Sequence, residues 1–483
     1  MELSWKPNRK NKVPIYLQIK EYIIEKIKYG EWPVGTVLPS QRKLAQMVGV
    51  NRSTVVQAYE ELMSEGLIEG VEGKETKVIN TTWNIFAKDA KITDWNYYVK
   101  NSLFEPNKVF IQKINKAEFN PNIIRLGTGE LSPHLLPVTQ MKEIVSSLQI
   151  DPTHLRYEEP KGSIQLRMAL SEHIQAFGIK ASPSNILIVS GGLQAFQLIA
   201  NGLLRPQSKI LVESPSYLFS LNLFQSLQMT LIDVPLDKMT EQMSIIKKMK
   251  EQHNASMLYT IPTFHNPTSF SYSEEQRKQI VSLCQSIQLP LIEDDVYREL
   301  WIDEPPPRAL KSFDYAGNIL YVGSASKIIS PGLRIGWVVG PDYVIDRLAD
   351  LKMQTDYGTS SISQAILHQW LEQKHWYTDH VHKVRNELRK RRDFMVGCLQ
   401  QYFSELASWT KPTGSFYIWL RLNQPISPTL LFERLLERNI LIHPGAIYQE
   451  KGGVHLRLSY SYESKENMEF ALRELATIIR EKT

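Results

Sequence analysis

The chain has 483 residues, of which 42% are hydrophobic, and it carries a formal net charge of +5 at pH 7. This length and composition favour two or more globular domains, and they exclude a disordered, collagen-like or low-complexity protein. No stretch of about 18 apolar residues predicts a membrane span, the N-terminus lacks the apolar core of a secretory signal, and the two cysteines, Cys284 and Cys398, match no disulfide or zinc spacing. We therefore expect a cytoplasmic protein with no membrane contact and no metal site.

Positive charge is concentrated at the N-terminal end of the chain. Residues 1–52 contain ten lysines and arginines and four glutamates, which gives this segment a net charge of +6. The remainder carries 46 basic and 47 acidic residues and is nearly neutral. A basic end on a neutral body indicates a polyanion as partner, although a solvated basic surface would have the same charge.

Three helices and a two-stranded wing are predicted for residues 1–80. Pro14 is placed to start the first helix, Gly30 ends it, and its apolar positions repeat every four residues. Ser40 and Asn51 are good N-caps for a second and a third helix, with Gly49 making the turn between them. The segment LIEGVEGKETKVI that follows reads as the wing. The predicted inward positions are Ile15, Ile19, Ile23, Ile27, Leu44, Met47, Val55, Ala58, Tyr59 and Leu62.

This layout is that of a winged helix-turn-helix, whose third helix places its N-terminal end in the major groove of DNA. Side chains at that end reach base edges, while basic side chains and helix N-termini contact phosphates. A winged helix that binds protein is the alternative. The candidate base-reading residues are Arg52, Ser53, Thr54 and Gln57, and the candidate phosphate contacts are Arg42 and Lys43.

Residues 12–79 resemble the GntR family almost position by position, which implies double-stranded DNA as the partner. The wing departs from the family pattern Gly-x-Gly-Thr-Phe-Val, because residues 73–78 read GKETKV. The second glycine and the aromatic residue are missing, so the resemblance does not support a minor-groove contact by the wing.

Residues 81–120 form a predicted linker without a strong hydrophobic period. A free tether would be rich in glycine, serine and proline, whereas this segment is too apolar to remain unpacked. We expect its second half to pack on the large domain that follows. The aromatic residues of the segment are Trp83, Phe86, Trp95, Tyr97, Tyr98, Phe104 and Phe110.

Residues 121–483 alternate short apolar strands with helical segments. The strands NILIVSGG, SKILVESPSY, SMLYTIP, LPLIEDDVY and NILYVGSAS each end in polar or small residues. This pattern predicts an α/β domain with a mostly parallel sheet and ligand chemistry at the carboxyl ends of its strands.

The residues at those ends suit a phosphorylated pyridine aldehyde. Asp294 ends an apolar strand and can pair with a protonated pyridine nitrogen, which keeps the ring an electron sink. Lys327 is a lone amine that can form a Schiff base with an aldehyde. Phosphate would be held by a helix N-terminus together with hydroxyl and guanidinium groups. The phosphate candidates are Gly192, Leu193, Ser324, Ser326 and Arg334, and the candidate ring contacts are Asn266, Tyr297 and Tyr217. Together these groups match pyridoxal 5′-phosphate (PLP).

In this order, the motifs resemble those of fold type I aminotransferases over residues 121–483. The resemblance rests on RYEEPKGSIQLR, HNPT, EDDVYREL, SASKIISPGLRIGW, PTGSFYIWL and VHLRLSY. It implies that Tyr157 reaches the phosphate of the neighbouring subunit and that Arg457 grips a substrate carboxylate. The chain departs from the family pattern at Gly192 and Leu193, where polar side chains are common, and at Ser415, where a second glycine is common.

A GntR-like domain fused to an aminotransferase-like domain is the layout of the MocR subfamily of bacterial regulators. The resemblance implies a cytoplasmic transcription factor that is a domain-swapped homodimer and uses PLP. Its effector would be an amino-acid-like compound whose amine displaces Lys327 from the cofactor aldehyde. Two alternatives stay open at this point: a working aminotransferase with a fused DNA-binding domain, and a vestigial large domain that serves only dimerisation.

Overall fold

The computed structural model describes residues 5–9, 11–28, 31–70, 75–79, 97–98, 101–102, 107–449 and 453–481. The chain divides into two compact units, residues 1–102 and 103–483. Several residues used in the sequence analysis lie outside the described residues: Lys10, Gly30, Gly73, Lys74, Trp83, Phe86, Trp95 and Phe104.

The first unit contains the three predicted helices and the predicted wing. Helix α1 spans Ile15–Lys28, α2 spans Gln41–Val48 and α3 spans Arg52–Ser64. Strands β1 (Ile68–Gly70) and β2 (Thr76–Val78) pair antiparallel. The winged helix-turn-helix predicted from the sequence is confirmed.

The core of the first unit follows the predicted apolar positions with two differences. All four predicted residues of α3 are fully buried, and so are Ile19, Ile23 and Ile27, whereas Ile15 at the start of α1 is only half-buried. In α2, Met47 is half-buried and Val48 packs inward with Leu44. The reason is the helical repeat: residues four apart share a face, so Val48 follows Leu44 more closely than Met47 does.

The second unit is built on a seven-stranded sheet in the described part of the chain. Strand order is β4-β10-β9-β8-β7-β5-β6, and only β10 runs antiparallel to its neighbours β4 and β9. The strands are β4 (Ile186–Val189), β5 (Lys209–Ser214), β6 (Thr230–Pro235), β7 (Met257–Thr260), β8 (Leu291–Asp294), β9 (Ile319–Ser324) and β10 (Gly336–Val339). Because helices cover both faces of a parallel sheet, every residue of β4, β7, β8, β9 and β10 is buried. The predicted α/β class and mostly parallel sheet are confirmed.

Thirteen described helices belong to the second unit. They are α4 (Val109–Ala117), α5 (Val138–Ser147), α6 (Ile164–His173), α7 (Gly192–Leu203), α8 (Leu223–Ser226), α9 (Leu236–Glu241), α10 (Ser244–His253), α11 (Glu274–Ser286), α12 (Asp342–Met353), α13 (Ser361–Glu372), α14 (Lys374–Phe403), α15 (Pro428–Glu437) and α16 (Lys465–Arg480). None of the helices in the described ranges is long and apolar enough to cross a membrane.

A smaller antiparallel sheet completes the second unit. Its order is β11-β12-β15-β14, and a separate parallel pair joins β13 to β3. These strands are β3 (Ile124–Arg125), β11 (Ala407–Trp409), β12 (Tyr417–Leu422), β13 (Ile440–Leu441), β14 (His443–Pro444) and β15 (His455–Ser459).

The second half of the predicted linker belongs to the second unit. Helix α4 buries Ile114 in the main core of that unit. Phe110 packs edge-on against Phe432, with ring centroids 5.3 Å apart. Helix α4 is therefore packed on the core of the second unit.

Candidate functional site

A cavity of about 280 Å³ lies in the second unit where polar residues end the parallel strands. Asp294 is the last residue of β8 and Ser324 the last of β9, so the sheet brings both to the same edge. Eleven predicted residues line this one cavity: Gly192, Leu193, Tyr217, Asn266, Asp294, Tyr297, Ser324, Ser326, Lys327, Arg334 and Arg457. The cavity is therefore assembled from residues that are far apart in the sequence.

One end of the cavity is formed by the start of helix α7 and by Arg334. Gly191 precedes this helix with a φ of 89°, and a Cβ atom at this position would lie 2.5 Å from Nη2 of Arg334. Arg334 donates from Nη2 to the carbonyl of Ser190 at 2.9 Å. Ser326 Oγ is buried with no partner. A helix N-terminus, a guanidinium and an unsatisfied hydroxyl at one place suit a phosphate group.

Asp294 is a buried carboxylate in the same cavity, and it suits a positively charged group. Its Oδ2 accepts a hydrogen bond from the Tyr259 hydroxyl at 2.6 Å, while its Oδ1 has no partner. Burial raises the pKa of Asp294 to about 6, against the opposing effect of the Tyr259 hydrogen bond. A buried carboxylate oxygen without a partner is costly, and a protonated ring nitrogen would satisfy it.

The predicted lysine projects into the same cavity. Nζ of Lys327 donates to the carbonyl of Gly129 at 2.8 Å and lies 5.9 Å from the centre of the Tyr297 ring. Asn266 Nδ2 donates to the Tyr297 hydroxyl at 3.2 Å. The amine and these two ring-oxygen candidates therefore face one space, which Tyr217 also lines.

Arg457 is buried on β15, and most of its donors are already engaged. Nη1 donates to Asn266 Oδ1 at 2.9 Å, and Nη2 donates to the carbonyl of Gly127 at 2.8 Å and to Nδ1 of His443 at 2.9 Å. Its Nε is buried without a partner. Because a bidentate grip needs two parallel N–H groups, a carboxylate would have to replace at least one of these acceptors.

The sequence analysis missed several residues of the cavity. Glu118 follows α4 and its Oε1 accepts from the Thr128 hydroxyl at 2.9 Å. Thr128, Glu130 and Tyr417 line the cavity as well. Glu118 lies in a segment without a hydrophobic period. The only sequence signal for a role in the site was that Glu118 is the sole acidic residue in α4 and its C-cap.

Tyr157 does not line the cavity of its own chain. Its side chain is 79% exposed, and its ring centre lies 4.6 Å from that of Tyr357. The contact predicted for it, with the phosphate of a neighbouring subunit, stays a prediction.

The predicted DNA-contacting residues lie at the starts of two helices of the first unit. Arg52, Ser53 and Gln57 are exposed on α3, and Thr54 is half-buried. Arg42 and Lys43 are exposed in the first turn of α2. Their roles stay predictions, and their exposure leaves them free to meet a partner.

The cavity residues fit PLP in their chemistry. Asp294 Oδ1 and Ser326 Oγ are buried atoms without partners, and they suit a pyridinium and a phosphate respectively. Lys327 supplies the only lysine amine among the residues that line this cavity. No three or more His, Cys, Asp or Glu side chains in the described ranges converge as ligands for a metal ion. The sheet and cavity define an aminotransferase-like domain of fold type I, and the first unit is a winged helix-turn-helix.

Comparison with known proteins agrees with both parts of this description. The family described as "Aminotransferase class I and II" matches residues 121–475, and "Bacterial regulatory proteins, gntR family" matches residues 15–78. The multiple substrate aminotransferase (MsAT) from Thermococcus profundus has a similar solved structure, with a TM-score of 0.75 and 27% identity, covering 81% of this chain and 99% of that chain.

Two relatives share both units. The chain is 47% identical over 481 residues to the uncharacterized HTH-type transcriptional regulator YisV of Bacillus subtilis (strain 168), covering 99% of each chain. It is 36% identical over 447 residues to the HTH-type transcriptional regulator NorG of Staphylococcus aureus (strain N315), covering 92% of this chain and 99% of the relative. The chain belongs to the MocR-like family of HTH-type transcriptional regulators, in which a GntR-type domain is joined to a class I and II aminotransferase domain.

Proposed function

We propose that this regulator binds PLP in the cavity of its second unit and changes its affinity for operator DNA when an amino-acid-like effector enters that cavity. The observation that carries the proposal is the convergence of Lys327, Asp294 and Arg334 on one cavity in a chain that also contains a GntR-type winged helix. When bound, PLP supplies an aldehyde that condenses with amines and a ring that withdraws electrons.

The side chains of the cavity divide the work of holding a cofactor and an effector. Asp294 would keep a proton on the ring nitrogen, and Arg334 with the start of α7 would hold the phosphate. Nζ of Lys327 would bind the cofactor aldehyde after releasing its hydrogen bond to the Gly129 carbonyl. Arg457 would take the effector carboxylate after releasing an acceptor such as Asn266 Oδ1.

The DNA side of the proposal rests on the first unit. Helix α3 would enter the major groove with Arg52, Ser53 and Gln57 toward base edges. Arg42 and Lys43 would contact phosphates. Effector binding and operator binding would be coupled if the effector-bound protein favoured one arrangement of its DNA-binding units. A coupling free energy of about 1–3 kcal/mol changes the affinity for operator DNA five- to 150-fold.

We also propose that the protein is a homodimer, domain-swapped as the family resemblance implies. Association of two copies is supported by large apolar side chains that the second unit exposes in one stretch of chain. These are Ile150, Leu155, Tyr157, Ile164 and Met168, each between 43% and 79% exposed. Contact with a second copy would cover them, as oligomer interfaces do, and would let Tyr157 complete the phosphate site of the partner.

The proposal is tested by visible absorption spectroscopy combined with operator binding. The purified protein is mixed with PLP, then with a panel of amino acids, and its affinity is measured for a DNA fragment that it selects from a random library. We expect a visible band of bound PLP in the native protein and in Arg52→Ala, and no such band in Lys327→Ala. The effector should change operator affinity of the native protein five- to 150-fold and leave that of Lys327→Ala unchanged.

Arg52→Ala is the matched control, because it should keep the PLP band and lose about 1–3 kcal/mol of operator affinity if Arg52 reads a base. Absence of the PLP band in the native protein would contradict the proposal. So would an effector response that survives in Lys327→Ala.

A second candidate function is transamination, because Lys327, Asp294 and Arg457 all line the cavity. Formation of a keto product from an amino acid and a 2-oxo acid, at several turnovers per chain, would favour the enzyme. A single conversion per chain without turnover would favour the regulator.

A further inference from the structure

The cavity contains two carboxylates that no part of the proposed cofactor site uses, Glu118 and Glu130. Glu130 is exposed, whereas Glu118 is half-buried and is therefore the one that a ligand could enclose. Glu118 lines the cavity beside Thr128 and Gly129, and 28% of its side chain is exposed. Its Oε1 accepts from the Thr128 hydroxyl, and no described residue donates a hydrogen bond to its Oε2. One oxygen of Glu118 is therefore free for a ligand in the cavity.

Glu118 carries its negative charge at neutral pH. Burial alone would raise the pKa of Glu118, but His443, Thr128 and the positive charge of Arg457 outweigh burial and lower it. A charged group that is enclosed by a ligand needs a partner, since an unpaired buried charge is strongly unfavourable. A ligand that fills the cavity and removes water from Glu118 must replace the lost interactions.

His443 separates Glu118 from Arg457. Nδ1 of His443 accepts from Arg457, so the neutral ring carries its hydrogen on Nε2, which lies 3.7 Å from Glu118 Oε1. Burial lowers the pKa of His443 to about 4, and the nearby Arg457 acts in the same direction. A neutral imidazole thus keeps the anionic and cationic side chains of the cavity apart, and neither neutralises the other by direct contact.

The cavity therefore offers a place for three groups of one ligand: an amine at Lys327, a carboxylate at Arg457 and a second cation at Glu118. We infer that the effector is a diamino acid, an amino acid whose side chain ends in an ammonium group that pairs with Glu118. This inference rests on the proposed function and specifies the effector class for the same cavity. An apolar side chain would leave Glu118 unpaired, and an acidic side chain would add like-charge repulsion.

The test compares pairs of amino acids that differ in the terminal ammonium group. Binding to the full-length, PLP-loaded protein is measured by isothermal titration calorimetry for L-ornithine against L-norvaline and for L-lysine against L-norleucine. We expect one diamino acid to bind at least tenfold more tightly than its uncharged counterpart. In Glu118→Gln this preference should fall below about threefold, mainly by weaker binding of the diamino acid.

Glu143→Gln is the matched control, because Glu143 is an exposed glutamate on α5 that does not line the cavity. It should keep the tenfold preference. The paired comparison on the native protein needs no variant, so it decides the inference even if Glu118→Gln does not fold.

Failure of this inference differs from failure of the proposed function. Equal binding of both members of each pair, or binding of neither diamino acid, would overturn the diamino acid assignment while the PLP band and the response of operator affinity to some other amino acid remained. Loss of the PLP band itself would overturn the proposed function. Retention of the full preference in Glu118→Gln would remove Glu118 as the determinant.

Discussion

At the scale of single residues, Asp294 illustrates a conflict between stability and binding. Its carboxylate is 4% exposed, and its Oδ1 has no partner. Without a cofactor, ionising this group in the folded protein costs free energy because burial disfavours the charge. A pyridinium would turn the same charge into a favourable contact.

This conflict predicts opposite effects of Asp294→Asn on the cofactor-free and cofactor-bound protein. The pKa of Asp294 rises from 3.8 to about 6 on folding, so its stabilising contribution is present below pH 4 and is lost as the pH rises to about 6. Without PLP, Asp294→Asn should be more stable than the native protein by up to roughly 3 kcal/mol above pH 6 and about equally stable below pH 4. PLP affinity of the variant should fall at least tenfold.

Urea unfolding of both cofactor-free proteins between pH 3.5 and 8 checks this difference (about 3 kcal/mol at most), and a PLP titration checks the affinity. Comparison of the two proteins cancels the other buried acids. A variant less stable than the native protein at pH 8, or one that binds PLP equally well, would contradict the assignment.

The sequence could predict Asp294 and Lys327 because Asp294 ends one apolar strand and Lys327 follows another, and the carboxyl ends of parallel strands meet at one edge. Arg334 could be predicted because it follows Lys327 by seven residues in the stretch SASKIISPGLRIGW. It could not predict that Glu118 lines the cavity, because the packing of α4, and not a strand, brings this residue there. The engagement of Arg457 with His443 also depends on β14 and β15 pairing in the smaller sheet. Such long-range pairings carry no local sequence signal.

At the scale of elements, the two helices of the turn motif begin differently. Ser40 Oγ accepts from the backbone N–H of Lys43 at 3.3 Å, so it caps α2. Asn51 precedes α3 without a side-chain hydrogen bond to that helix. The predicted cap at Ser40 is confirmed, and the predicted cap at Asn51 is wrong in that its side chain makes no capping bond.

The difference predicts unequal effects of the same substitution. Ser40→Ala should lower the stability of α2 by about 1 kcal/mol and speed hydrogen exchange of its amides about fivefold, whereas Asn51→Ala should leave exchange in α3 nearly unchanged. Hydrogen–deuterium exchange of the full-length proteins, followed by mass spectrometry, measures both. Equal protection loss in the two variants would show that side-chain capping does not distinguish the two helices.

Helices and strands whose hydrophobic residues repeat regularly along the sequence were the easiest to predict. The apolar strands around Asp294 and Lys327 and the stripe of α1 lie where the sequence placed them. Helix α4 was not predicted, because its residues combine a short length with an interrupted apolar face, and tertiary packing of Ile114 and Phe110 stabilises it. The hydrophobic pattern also could not predict how deeply a residue at the edge of a helix face is buried, as Met47 shows.

At the scale of the whole molecule, the proposed dimer places the Tyr157 of each chain in the cofactor site of its partner. Lys327 belongs to the cofactor site of its own chain. Tyr157 is exposed and does not line its own cavity. If it contacts the phosphate in the partner, each complete site needs two chains. The chain would then have no complete cofactor site as a monomer.

This arrangement predicts complementation between two defective proteins. Lys327→Ala removes the amine and Tyr157→Phe removes the hydroxyl, so neither dimer alone should hold PLP with native affinity. After equimolar mixing and subunit exchange, about one quarter of all sites should regain native affinity, because each mixed dimer has one intact site. The fraction is measured from the visible band at limiting PLP, and two copies of the same variant mixed together serve as the control.

No recovery after confirmed subunit exchange would mean that Tyr157 acts within its own chain or not at all. Native PLP affinity of Tyr157→Phe before mixing would also contradict the shared site.

The close approach of Arg334 to Gly191 has a consequence for how this family can evolve. Any side chain at position 191 would clash with the guanidinium 2.5 Å from its Cβ, and the backbone there already has a φ of 89° that other residues rarely adopt. A lineage that replaced the glycine first would lose the arginine's position and with it the proposed phosphate contact. A side chain at position 191 is therefore expected only where the arginine has already been lost, and even there the positive φ should favour glycine.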